Sequence, residues 1–533
     1  MGITSLLAAG LLGKSVLGQI IYAENTRPFT PDSSAVSANF PEPNITLYSP
    51  AFHSPDTVSE EFSNGTAAPT SEETLIGFLQ TLSERNEWMN YMTPNFTSEE
   101  GRKVPYVLLS SGSSNGTANG TGKLRIYIHG SMHGDEPGGE AGVSSFLGKL
   151  DNEPAWAASV LDKADLLVLP RYNADGVAYF QRLLATSFDP NRDFSKAARQ
   201  QTRDLQALVT EFNPHISVDC HEYGAAAARG PNQDYLPAQD GQFYAFKNMN
   251  IHPIIRQLAE GLFRDEIAAA MDERGFTHSP YVVSSDPANL VFNEFITDND
   301  GFDQVGLSQG IAYLSETRGI GIGDQHFRRR AASTLTVIET IVRTAVDNAD
   351  DVLHIIEDAR ANYTNSDEEI IVSSYPRQTN ITWDFIHING TAVSVPITFN
   401  NNTPATANLT RPRPEAYIFS RAWADVAERL TLLGVEVETL EQDFVGEVEA
   451  YNITSAQLAT SKFQGVAQTS VVAEIIMLNV TIPKGGFRVP SRQRHAAHVF
   501  ARLEPEAESS FAKWNVLNVG EGDIYSVYRI PRA

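Results

Sequence analysis

From residue 70 onward the chain alternates two kinds of hydrophobic spacing. Runs such as LRIYIH (124–129), ADLLVLP (164–170), HISVDC (215–220) and IAYLSE (311–316) are almost continuously apolar over strand length, the pattern of strands covered on both faces. Between them, GGEAGVSSFLGKL (138–150), KAARQQTRDLQALVTEF (196–212) and IIRQLAEGLFRDEIAAAMDERG (254–275) repeat their apolar residues at helical intervals. A capping-box spacing of Thr70 and Glu73 opens the first such helix, with Leu75, Phe78, Leu79 and Leu82 on one stripe. Residues 334–363 read as one long closing helix. The alternation predicts an α/β domain over 69–365, with a mixed, largely parallel central sheet flanked by helices.

Outside this region the pattern changes twice. Residues 19–68 are rich in Pro, Ser, Thr and Asn without periodicity, which predicts a flexible extension. Beyond 366, runs such as EEIIVSSYP, GTAVSVPITFN and SVVAEIIMLNVTIP are strand-like and only AWADVAERLTLLG is helical. A smaller β-rich C-terminal domain is therefore expected over 366–533. Residues 1–18, with their apolar run from Ile3 to Leu12, read as a secretory signal peptide.

Composition narrows the classes. With 533 residues, 42% hydrophobic and 20% charged, the chain is globular. A net charge of −25 disfavours nucleic acid or an anionic membrane as partner. Outside the N-terminal run no segment has the length of a membrane span. Twelve N-x-S/T sequons between Asn44 and Asn479 fit a secreted chain bearing N-linked glycans. The single cysteine, Cys220, excludes an intrachain disulfide and a thiolate zinc site. A metal would have to be held by His, Asp and Glu.

The densest set of such residues is YIHGSMHGDEPGGEAG (127–142). His129 and His133 are four apart, but the glycines and Pro137 argue against one helix carrying both. A strand ending near Gly130, a loop and a helix starting near Gly139 fit better. On that loop His133 and Glu136 can converge as two ligands, with His129, Asp135 and Glu140 as other donors nearby. ISVDCHEYG puts His221 at another strand end, where it could be a third ligand. Further polar strand ends follow: LPRYNADG, DPNRDF and, around Glu316, IAYLSETRGIG.

Taken in order, HxxE, N-x-D-G, an arginine, D-x-N-R, a strand-end His and a strand-end Glu resemble the zinc carboxypeptidases of the carboxypeptidase A type, over residues 70–350. The resemblance implies one Zn2+ per chain on His133, Glu136 and His221. It makes Asp189 the carboxylate that orients the first histidine. Asn191 and Arg192 would grip the substrate's C-terminal carboxylate, and Arg182 would polarise the scissile carbonyl, with Arg171 a second candidate for a substrate-binding arginine. Glu316 would take a proton from the zinc-bound water and deliver it to the leaving amine. The expected substrates are peptide or protein C-termini.

The match has departures. The family's active-site tyrosine has no clear counterpart, Tyr281 being the candidate, and Asp135 stands where the digestive enzymes carry arginine. HGDEP is also similar to related deacylases. A zinc amide hydrolase acting on N-acyl amino acids or cell-wall peptides, and a non-catalytic glycoprotein binding module, are the competing expectations.

Overall fold

The computed structural model describes residues 29–53, 70–112, 122–294 and 303–532. The expected signal peptide and the sequons at Asn64, Asn115 and Asn119 lie outside the described residues.

The strands of the first part run in chain order as β1 (Met89–Met92), β2 (Tyr106–Leu109), β3 (Leu124–Gly130), β4 (Ala164–Leu169), β5 (Ile216–Gly224), β6 (Tyr235–Pro237), β7 (Gly241–Ala245), β8 (His278–Pro280), β9 (Val282–Asp286), β10 (Val291–Glu294) and β11 (Ile311–Ile320). Eight of them form the central sheet, ordered β1-β2-β4-β3-β5-β11-β7-β8. Its middle is parallel: β3 pairs with β4 and β5, and β5 with β11. Antiparallel neighbours, β2 on one side and β7 on the other, flank that middle. The mixed α/β architecture expected from the apolar runs is the one observed. Every residue of β3 and β4 is buried, which is why neither run alternates.

The helix Pro137–Asn152 lies so close to β5 that a Cβ on Gly139 would meet the Cys220 carbonyl oxygen at 2.5 Å. The first long helix, Glu72–Arg85, is capped by Ser71, whose hydroxyl accepts from Thr74 N at 3.1 Å, one residue later than the expected box. The closing helix is two, Phe327–Asp347 and Ala349–Asn365, because Asn348 leaves helical geometry at φ −120 and ψ 26.

Two further sheets complete the molecule. A hairpin of β12 (Ile370–His387) and β13 (Ala392–Arg411) joins β6, β9 and β10 in the order β6-β12-β13-β10-β9. The last sheet contains β14 (Ala416–Phe419), β15 (Glu438–Thr439), β16 (Phe444–Leu458), β17 (Thr469–Ile482), β18 (Phe487–Pro490) and β19 (Val527–Ile530). The C-terminal part is thus β-rich, but strand pairing does not separate at residue 366. β12 pairs with β6 and β13 with β10, while Ala497 and Ala501 of the helix Ala496–Leu503 reach the central core.

The expectation of a flexible extension fails for residues 29–53. Val36 and Phe40 are buried against Ile386, and Leu47 joins the central core. Asp32 forms a buried two-point ion pair with Arg318, its oxygens 2.6 and 2.9 Å from Nη1 and Nη2. Composition predicted a solvated segment; its few apolar and charged anchors find partners far along the chain.

Candidate metal centre

The centre is built at the C-terminal ends of the parallel strands, where an open-sheet crevice is expected. β3 stops at Gly130 and Ser131 takes a positive φ of 48, turning the chain into the loop that carries His133. Gly134 packs so tightly on the turn at Gly176 that a Cβ there would lie 1.9 Å from a backbone carbon. Glu136 occupies the N-cap position of the helix Pro137–Asn152 but makes no side-chain capping bond, so its carboxylate is free to turn inward.

There it meets both histidines. Glu136 Oε1 lies 2.8 Å from His133 Nδ1, and Oε2 lies 2.8 Å from His221 Nδ1. The two Nδ1 atoms are 3.1 Å apart. One ligand atom from each residue falls within 4.8 Å of the others, and all three side chains are buried. The opposite ring edges face carboxylates: His133 Nε2 lies 3.1 Å from Asp189 Oδ1 and His221 Nε2 2.9 Å from Asp219 Oδ1. With the ring protons on Nε2, facing those carboxylates, two imidazole lone pairs and a carboxylate converge on one point. A cation with N/O preference satisfies all three at once, so the residues fit zinc.

The electrostatics agree. Burial works to raise Glu136, but His133 and His221 outweigh it and hold its carboxyl well below the usual range. Burial disfavours charge on His221, yet Asp219 and Glu136 overcome it and raise that pKa well above normal. His133 is also raised: Glu136 and Asp189 outweigh burial and the nearby Arg182. Positive charge is wanted at this point.

Glu316 stands beside the trio. It is the register partner of His221 across β5 and β11, is 6% exposed, and its Oε2 has no hydrogen-bond partner among the described residues. Burial lifts its pKa to about 8; Glu136 adds to this, whereas His221, His133 and Arg182 oppose it.

Asp189 does double duty. Besides facing His133, its Oδ1 accepts from Asn191 N at 2.9 Å, which caps the short turn Pro190–Arg192. Its Oδ2 accepts from Arg182 Nε at 3.0 Å, and Arg182 Nη1 lies 3.2 Å from Glu136 Oε1. Asn191 Nδ2 is 3.4 Å from His221 Nε2. His133, Arg182, Asn191, Arg192, Glu316 and Tyr281 share one cavity of about 230 Å³. Tyr281, which sequence order alone could not place, is on its wall. A larger groove of about 930 Å³ shares Arg182 with it and is lined by Phe29, Asp135 and Gly321. Burial and the adjacent Glu136 raise Asp135 to about 6 against His133 and Arg182.

Arg171 corrects an expectation. Its guanidinium holds Glu140 at 2.6 and 2.7 Å and also donates to the Thr70 carbonyl. It is 4% exposed and does not line the cavity; it ties the helix Pro137–Asn152 to the start of the first long helix. Asp219 is the opposite case. Sequence reading passed over it, although two-residue strand periodicity puts it on the same face as His221. It also lies 2.6 Å from His129 Nε2, so His129 faces Asp219 and not the ligand trio.

A buried two-histidine, one-carboxylate centre with a glutamate at its side, on a mixed α/β sheet, defines a metallohydrolase. The zinc carboxypeptidase family model matches residues 77–227. Carboxypeptidase 2 of Trichophyton tonsurans is 42% identical over 99% of this chain and 98% of its own length. Carboxypeptidase 2 of Trichophyton rubrum is also 42% identical, with the same shares covered. The chain belongs to the zinc carboxypeptidase family and is a zinc metallocarboxypeptidase. Among solved structures, a metallo-carboxypeptidase from Burkholderia cenocepacia is similar at 16% identity, covering 52% of this chain and 70% of its own, with a TM-score of 0.39. One from Pseudomonas aeruginosa, in complex with (2-guanidinoethylmercapto)succinic acid, has 19% identity, 53% and 70% coverage and a TM-score of 0.38.

Proposed function

We propose that this protein is a secreted, single-zinc exopeptidase that removes C-terminal residues, with His133, Glu136 and His221 as the ligands and Glu316 as general base and acid. The convergence of three electron-pair donors within 4.8 Å carries the reading. Bound there, zinc would supply Lewis acidity and lower the pKa of water near Glu316.

The chain's own residues do the rest. Asn191 and Arg192 receive the substrate's terminal carboxylate, for which a planar guanidinium fork is suited. Arg182 faces the scissile carbonyl and stabilises the charge that develops on its oxygen. Water attacks the carbonyl carbon as Glu316 takes its proton; the C–N bond breaks as Glu316 returns that proton to the departing nitrogen. Burial raises the pKa of Glu316, and a cation held by the ligand trio would draw it back down.

Secretion rests on the N-terminal apolar run and the sequons. Among the described sequon asparagines, Asn44, Asn95, Asn362, Asn380, Asn389, Asn408 and Asn479 are exposed and accessible to glycosylation, while Asn401 and Asn452 are half-buried. The test of function is release of single residues from peptides with free and with amidated C-termini. The free acids are cleaved in a chelator-sensitive way and the amides are not; equal cleavage of both overturns the reading.

A further inference from the structure

The cavity that holds Glu316 has a cationic wall that the reaction leaves unused. Beyond Asn191 and Arg192 it is bounded by Tyr281, Val282 and Arg229. Arg229 follows β5 and is anchored through a β-bridge to Tyr235. Its guanidinium lies over the Phe292 ring at 5.5 Å, and Nη1 donates to the Ala227 carbonyl at 3.2 Å.

No carboxylate among the described residues pairs with this guanidinium. Burial draws its pKa below the ordinary value, and the one opposing influence is the Tyr223 phenol. Other arginines around the site are committed: Arg182 to Asp189 and Glu136, Arg330 to Glu222, Arg318 to Asp32. Glu222 also lines the cavity, but its side chain is 0% exposed and held by Arg330 at 2.8 Å, so it does not neutralise Arg229. In a chain of net charge −25, an arginine on a cavity wall with no carboxylate partner among the described residues is a departure from the general balance.

Physics then ranks the occupants. A C-terminal Lys or Arg would bring like charge against Arg229. An apolar side chain would desolvate the guanidinium further without giving its free N–H groups an acceptor. A carboxylate does both, through charge-assisted and bidentate hydrogen bonds. The volume, about 230 Å³, suits one C-terminal residue of modest size, its carboxylate included.

We propose that Arg229 reads the side chain of the residue released, and that the enzyme acts on chains ending in glutamate or aspartate. This rests on the exopeptidase reading above. The test compares kcat/KM of the zinc-loaded full chain on matched peptides ending in Glu, Leu and Lys. Wild type favours Glu over Leu at least tenfold and over Lys at least a hundredfold. Arg229→Gln lowers the Glu-to-Leu ratio at least tenfold, whereas Arg229→Lys, which keeps the charge, retains part of it. A wild type that cleaves Leu or Lys ends as well as Glu ends overturns the proposal even if a variant does not fold. So does an unchanged ratio in Arg229→Gln.

Calorimetric binding of N-acetylglutamate and N-acetylleucine separates this from the parent reading. Tenfold tighter binding of the glutamate, lost in Arg229→Gln, upholds the role of Arg229 even if no peptide is cleaved, and then it is the exopeptidase reading that fails. Equal binding of the two overturns the role of Arg229.

Discussion

Glu316 and His221 are register partners on adjacent parallel strands, so the proposed base and one proposed metal ligand project from the same face of one rigid sheet. Neither depends on a loop for its position. Preorganisation of this kind lets a proton move with little rearrangement.

Glu316→Gln keeps the volume and removes the proton-accepting oxygen. Turnover should fall by about 10²–10⁴-fold, the range of general acid–base catalysis. Zinc content, measured by elemental analysis, should stay at that of the wild type. Loss of metal together with activity would instead make Glu316 part of the binding set.

Metal removal should inactivate the enzyme reversibly and lower its melting temperature, because a ligand bound only to the folded chain stabilises it by about 3–4 kcal/mol at 100 to 1,000 times its Kd. Protons compete for the same lone pairs, since Asp219, Glu136 and Asp189 outweigh burial and raise both histidines. Zinc affinity should therefore weaken as pH falls. Competition titrations with a chromophoric chelator across pH check the sign.

Asp219→Asn should weaken zinc about 10–100-fold while leaving the ligand trio in place. Burial works to raise Asp219, but His129 and His221 hold its carboxyl well below the usual range. The carboxylate is thus charged at neutral pH. A neutral amide at this position loses the charge that makes His221 a strong donor, and chelator competition reads the loss directly.

Much of this was legible in the chain. Fully buried strands have to be apolar until they reach the crevice, so the polar residues that follow an apolar run, His221 inside β5 and Glu316 inside β11, announce themselves. Three features were not legible, for physical reasons. Arg171 sits next to NADG in sequence, but which way a side chain points after a strand end depends on neighbours, here Glu140. Asp219 is hidden inside a strand whose two faces are both covered. The anchoring of residues 29–53 depends on pairs such as Asp32–Arg318, separated by 286 positions, and no local period records them.

Asp32→Ala should expose the cost of leaving Arg318 buried and unpaired. The two side chains are 2% and 3% exposed, and removing one member of a buried pair typically costs about 3–5 kcal/mol. Arg318 also faces Phe40, 4.4 Å from its ring. The expected result is a lower urea midpoint and faster proteolysis within residues 29–53. A midpoint equal to wild type would mean that this segment is held by its apolar anchors alone.

His215 offers a pH test remote from the metal. It is 1% exposed, accepts from Arg125 N at Nδ1 over 2.9 Å and faces Glu357 at Nε2 over 2.9 Å. Burial, helped by Arg360 and Arg125 against Glu357, depresses its pKa to about 3 from 6.5. Below pH 6.5 the unfolded chain takes up a proton that the folded one refuses, so His215 costs about 1.4 kcal/mol of stability per pH unit. Raised carboxyls such as Glu222, lifted to about 7 by burial with Glu136 adding against Arg330, act with the opposite sign. The readout is therefore the difference between wild type and His215→Gln. Glu357 is held well below its ordinary value of 4.5, first by His215, with Arg360 helping against burial. Its own contribution begins to fade only below that value, so urea melts between pH 6.5 and 4.5 isolate the histidine. Over that window the stability advantage of wild type should shrink by about 2–3 kcal/mol; a constant difference would mean that His215 is protonated in the folded enzyme.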